Sequence, residues 1–217
     1  LYEKHGFIED ALVEEFDYPN QRYVMHPIGS ERKNRQIAVN KVVREIISRL
    51  QGNDASIYLY GSSVLNDFRL GWSDIDILVL TDKQITEEQA KKLVGLRQAM
   101  LEKEPNNPYY CCFEGGMMTY DAFTSGKADR VVYWGTDSEK ITDHYTLDSF
   151  STTELIESSV LLYGKDIRNQ MKTPKFNELY ADVKHHYETI RKYAQKTGRS
   201  IYSFGWMLDI ARCIYTL

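Results

Sequence analysis

Apolar residues recur at helical spacing at Ile37, Val42, Val43, Ile46, Ile47 and Leu50, which predicts a helix stopped by Gly52. The period then changes. Ile57-Tyr58-Leu59-Tyr60 is short, aromatic and β-branched, and the stretch 75–80 is apolar except for Asp76, so both read as strands, the second buried on both faces. Thr86 with Gln89 forms a capping-box pattern for a helix through about Lys103, ended by Pro105. Residues 109–113 and 117–123 read as strand-like segments interrupted by Gly115-Gly116, and residues 130–134 as a further strand.

Ser151-Thr152-Thr153-Glu154 repeats the capping-box pattern and predicts a helix to about Leu162. Thr173-Pro174 opens a longer helix with an apolar stripe of Phe176, Leu179, Tyr180, Val183, Tyr187, Ile190 and Ala194, closed by Gly198. A final helix carries Trp206, Ile210, Ile214 and Tyr215. Residues 1–32, with Pro19 and Pro27, have no clean period and read as an N-terminal extension. The expected organisation is therefore an α/β or α+β unit at 33–150, then a helical bundle at 151–217. That bundle stops in mid-helix, which points to a missing C-terminal segment.

The chemistry concentrates where the first two strands meet. Gly61-Ser62 at the end of the first strand can open a short helix whose backbone N–H groups face an anion, with Gly61 permitting close approach and the Ser62 hydroxyl adding a donor. In the second strand Asp74 and Asp76 are two apart and project from one face. Two such neighbouring carboxylates repel unless a proton or cation lies between them, and Mg2+ suits them because it takes hard oxygen ligands and bridges to phosphates. Either motif alone is common; together they indicate a nucleotide and metal site.

Gly-Ser, a spacer and Ser-Asp-Ile-Asp resemble the signature of the nucleotidyltransferase superfamily that includes polymerase β and the antibiotic adenylyltransferases. Later segments resemble, by their order, the aminoglycoside adenylyltransferases acting on streptomycin and spectinomycin. They are Cys112-Phe113-Glu114, residues 118–123, Tyr133-Trp134-Gly135-Thr136, His144-Tyr145, residues 161–164 and residues 210–215. The resemblance implies a polymerase-β-like fold, a mixed sheet with flanking helices followed by a helical bundle. It also implies Mg2+-dependent transfer of AMP from ATP to a hydroxyl of a small acceptor, as in antibiotic resistance. It places the catalytic base at Glu114, with Asp121 as runner-up, and matches Arg212 to an arginine that contacts the nucleotide's phosphates. From spacing alone Arg212 could equally pair with Asp209 at i and i+3.

The acidic and aromatic residues that meet the cationic drug in such enzymes correspond here to Thr197-Gly198-Arg199-Ser200-Ile201-Tyr202. The acids are missing and Arg199 would repel a polycation, leaving spectinomycin-like, lincosamide-like and non-antibiotic acceptors open. Two other classes also stay open: transfer to a protein or RNA end, and a silent nucleotide-binding module.

Composition adds boundaries. In 217 residues with sixteen tyrosines, no apolar run approaches the ~20 residues of a membrane span. Cys111, Cys112 and Cys213 do not form a disulfide pattern, which favours a reducing cytoplasm. A net charge of −4 argues against general nucleic-acid binding. Adjacent His185 and His186 point about 100° apart on a helix and have no partner at metal-ligand spacing. The Glu87, Glu88, Lys91 and Lys92 run reads as a solvated, salt-paired face.

Overall fold

The computed structural model describes residues 7–8, 26–127, 130–135, 138–194 and 201–216. Two short strands, β1 (Phe7–Ile8) and β2 (His26–Pro27), pair antiparallel ahead of α1 (Ile28–Arg49). The main sheet is built from β3 (Ala55–Tyr60), β4 (Ile75–Thr81), β5 (Phe113–Thr119), β6 (Val131–Trp134), β7 (Glu139–Thr142) and β8 (Val160–Tyr163). Its order is β7-β6-β5-β4-β3-β8, with β4 and β5 parallel and every other pair antiparallel. Helices α2 (Glu87–Val94), α3 (Leu96–Lys103), α4 (Tyr120–Ser125), α5 (Ser149–Ser158), α6 (Phe176–Tyr193) and α7 (Ile201–Thr216) complete the chain. This is the mixed sheet with flanking helices and a helical C-terminal region that the sequence led us to expect.

Side-chain alternation along the strands divides the core into two layers. Ile57, Leu59, Ile75, Ile77, Val79, Phe113 and Met117 bury against Val39, Val42, Ile46, Ala90, Leu93 and Leu96 of α1, α2 and α3. Tyr58, Tyr60, Leu78, Leu80 and Met118 line the other face, with Ala122 of α4 and Leu155 of α5. Asp76 and Glu114 share the parity of this second layer, so the chemistry faces α5 rather than α1.

Several local expectations change. The helix after Thr86 has its capping box but divides at Gly95 into α2 and α3. Residues 110–112 form a 3-10 turn rather than a strand, and β5 runs unbroken through Gly115-Gly116 before α4 begins at Tyr120. The glycines continue the strand because nothing larger fits. A Cβ on Gly115 (φ +143°) would collide with the Ile77 carbonyl, and one on Gly116 would lie 2.6 Å from the Tyr145 ring.

Asp148, not Ser151, caps α5: its carboxylate accepts from the Ser151 N–H at 2.7 Å. The helix ends at Ser158, and residues 160–163 become edge strand β8 beside β3. The sheet thus recruits chain from beyond the boundary expected near Phe150. Pro174 precedes α6, which begins at Phe176 after an N-cap at Lys175. α6 packs on both α5 and α7. Ile190 and Cys213 are buried, yet Phe176, Tyr180, Tyr187, Ile210, Ile214 and Tyr215 of the expected stripes are exposed. No helix among the described residues is long and apolar enough to cross a membrane. Gly198, Arg199 and nearly all of the N-terminal extension lie outside the described residues.

Candidate active site

β3 ends at Tyr60, and the chain enters a 3-10 turn at Gly61–Ser63. Gly61 has φ +68°, and a Cβ there would strike the Asp76 carboxylate. Both facts require glycine. The turn is closed by the Val64 and Leu65 N–H groups donating to the Gly61 carbonyl at 3.0 and 3.2 Å. Ser62 is half-buried on this turn, and Ser63 behind it is buried with its carbonyl accepting from Arg35 at 3.4 Å.

Register then assembles the acids. Asp76 stands opposite Tyr60 on β3 and opposite Glu114 on parallel β5. Asp74 lies just before β4, and its carboxyl is in hydrogen-bonding contact with Glu114. Two ionised carboxylates cannot make that contact without a proton or cation between them. The structure therefore brings together Gly61, Asp74, Asp76 and Glu114, with Ser62 adjacent in the same turn. Asp121 sits instead in the first turn of α4, beyond the far end of β5 and roughly 20 Å along the strand from Glu114.

Burial and mutual crowding penalise negative charge on these acids. Burial first, then Asp74, Glu114 and Glu154, push the Asp76 carboxyl up to about 7, while Arg212 opposes the rise. Burial followed by Glu114 pushes Asp74 up to about 6. Hard, crowded oxygen donors of this kind fit a small divalent cation. Among the described residues no group of three or more His, Cys, Asp or Glu is arranged to hold a metal by itself. Two aspartates leaving the remaining positions to phosphate and water match how Mg2+ is usually bound.

Residues assigned no site role from the sequence, Tyr133 and Tyr145 of the resembling segments among them, complete the surroundings. Tyr133 of β6 donates to Glu114 Oε1 at 3.0 Å; burial, then Glu114, push its phenol up to about 12, so it keeps its proton at neutral pH. Tyr60 and Tyr145 hydrogen-bond to each other beside Asp76, and burial raises both phenols. Arg97, only 7% exposed, donates to Glu139 Oε1 at 2.6 Å and to the Phe113 and Gly135 carbonyls at 2.7 and 2.8 Å. The sequence held no local signal for these contacts, since each joins residues distant in the chain.

Arg212 of α7 reaches α5, pairing with Glu154 Oε2 at 3.1 Å, donating to Ser151 Oγ at 3.2 Å and lying 5.6 Å from the Phe150 ring centroid. Ser151 and Glu154, read from the sequence as a capping box, serve here as its partners. The helix thereby brings a guanidinium close enough to Asp76 to oppose its rise. His186 lies 3.5 Å from Asp148 and packs on Phe150 rather than joining a metal set. Cys111, Cys112 and Cys213 are free, and burial pushes the Cys112 thiol up to about 12, which leaves it unreactive. An open groove of about 810 Å³ between α1 and α2 lies on the opposite face of the sheet from the acids.

A family model described as nucleotidyltransferase domain matches residues 40–106, the segment holding the Gly61 turn and both aspartates. Residues 40–106 are a nucleotidyltransferase domain. The domain's chemistry is nucleotidyl transfer, and β5 extends its sheet to bring in Glu114. No curated protein matches the sequence. Among solved structures the chain is similar to the spectinomycin adenyltransferase AAD(9) from Enterococcus faecialis, solved with ATP and spectinomycin. The two are 16% identical over 74% of this chain and 69% of that one, with a TM-score of 0.52. This is a likeness of fold. A Shewanella oneidensis HEPN toxin in complex with MNT antitoxin superposes at a TM-score of 0.33, with 13% identity over 75% of this chain and 99% of that one. So loose a match carries no argument.

Proposed function

We propose that the nucleotidyltransferase moves AMP from ATP onto a hydroxyl of a small molecule, with Mg2+ as cofactor, and that the acceptor is an aminoglycoside-type or related antibiotic. The observation that carries this reading is that Asp76 and Glu114, side by side on β4 and β5, meet Asp74 from the turn just ahead of β4, all beside the Gly61 turn.

Asp74 and Asp76 would hold the metal, whose bound charge neutralises the triphosphate oxygens when present. Gly61 admits a phosphate to the turn, and Ser62 donates to it. Glu114 takes the proton of the incoming hydroxyl, a role suited to a carboxylate placed directly beside the two metal-holding aspartates. Arg212 turns its guanidinium from Glu154 toward the phosphates, where a planar donor fork is effective. Catalysis is then positioning and electrostatics rather than covalent chemistry.

The fold neighbour's ATP and spectinomycin support a nucleotide and a small hydroxylated acceptor. Three free thiols fit a reducing compartment, so we place the reaction in the cytoplasm. Pyrophosphate release should be followed with each nucleoside triphosphate, Mg2+ and a panel of spectinomycin, aminoglycosides and lincosamides. ATP with one of these drugs should release pyrophosphate and give an adenylylated drug by mass spectrometry. Release only with protein or RNA acceptors would replace the acceptor class, and nucleotide binding without any release would make the domain a silent binding module.

A further inference from the structure

We infer that Tyr133 is the positioning residue for Glu114: its hydroxyl fixes the carboxylate that receives the acceptor's proton. This rests on the reading of Glu114 as the base. Glu114 carries three rotatable bonds, and once the two neighbouring aspartates are ionised the proton shared with Asp74 is lost and repulsion favours swinging Glu114 outward to water. The Tyr133 hydroxyl, donating to Oε1 at 3.0 Å, opposes that swing.

Tyr133 is itself held from several directions. Its ring tilts at 45° against Tyr145, with centroids 5.7 Å apart, and Lys140 Nζ lies 5.5 Å from its centroid. A Cβ on Gly135 would lie 2.6 Å from its ring and 2.8 Å from its hydroxyl, so the main chain itself walls the phenol. Gly116, opposite Tyr133 on β5, leaves the space that the Tyr145 ring occupies. Arg97 then ties the two strands together through the Phe113 carbonyl, next to Glu114, and the Gly135 carbonyl, two residues past Tyr133. Two glycines and a buried guanidinium thus converge on one hydroxyl-to-carboxylate contact. Packing alone would be served equally by phenylalanine; the hydroxyl is put to use toward Glu114.

The test is Tyr133→Phe, which keeps the ring, measured beside Glu114→Gln and the double variant. Pyrophosphate release is followed with ATP, Mg2+ and spectinomycin, and also with water as acceptor. The expected result is a kcat lower by roughly ten-fold or more, the scale of one hydrogen bond to a charged group, with the KM for ATP unchanged. The double variant should be no slower than Glu114→Gln alone, because Tyr133 acts through that carboxylate. An equal loss in both backgrounds would assign Tyr133 a merely structural part and overturn the inference. A crystal structure of Tyr133→Phe supplies a readout independent of turnover: Glu114 should leave its position, and an unmoved carboxylate overturns the inference. Full turnover by Glu114→Gln would instead refute the base assignment beneath it, a separate outcome.

Discussion

Replacing Asp76 with asparagine should stabilise the ligand-free protein while disabling it. The carboxyl rises from its ordinary 3.8 to about 7 in the folded chain, mainly because burial and three neighbouring acids penalise its charge. About three pKa units at 1.36 kcal/mol each set a ceiling of about 4 kcal/mol on the cost of holding it ionised. Relaxation and water penetration around the carboxyl reduce the usable figure to about 2 kcal/mol. The folded state binds this proton more tightly than the unfolded chain. Stability from this site is therefore highest below about pH 4 and falls as pH rises to about 7, above which the full penalty stands.

An asparagine side chain at this position carries no charge to penalise. For a chain of 217 residues the gain corresponds to a melting temperature about 4–8 °C above wild type near pH 8, read by circular dichroism with a chelator present. Near pH 5 folded wild-type Asp76 takes up a proton that the unfolded chain still lacks, so the gap should narrow, and it should close only below about pH 4. An asparagine variant that melts at or below wild type near pH 8, or a gap of equal size at both pH values, would refute the electrostatic account of the site.

Two further substitutions probe the scaffold. Arg97→Met removes a buried charge from Glu139 and two strand carbonyls, and should cost about 3–5 kcal/mol in denaturant unfolding because those partners are left buried without it. Gly116→Ala drives a methyl into the Tyr145 ring and should cost about 1–3 kcal/mol, with a near-ultraviolet circular dichroism change showing the displaced tyrosine.

The parts of this site that were legible in the sequence are those encoded locally. Gly61-Ser62 lies at the end of a recognisable strand, and Asp76 falls in the second strand opposite Tyr60, whereas Asp74 sits just ahead of that strand rather than inside it. Hydrophobic periodicity likewise gave α1, and the Thr86 and Gln89 capping box gave the start of α2. Long-range pairing was hidden. Gly115-Gly116 resembles a strand break by propensity, and only the carbonyl of Ile77 and the ring of Tyr145 explain why a strand needs those glycines. Ser151 and Glu154 satisfy a capping pattern, but Asp148 takes the cap and frees both for Arg212. Leu161 and Leu162 suit a helix or a strand, and the open edge of β3 decides for the strand. The Tyr133–Glu114 contact joins residues nineteen apart on antiparallel strands, where no periodicity could reveal it.

Electron paramagnetic resonance of Mn2+ titrated into the protein with ATP tests most directly whether the two aspartates and the glycine turn form one metal and nucleotide site. The account requires a bound Mn2+ signal that depends on ATP and is lost in both Asp74→Asn and Asp76→Asn, each still folded. Undiminished Mn2+ and ATP binding by both variants would contradict it.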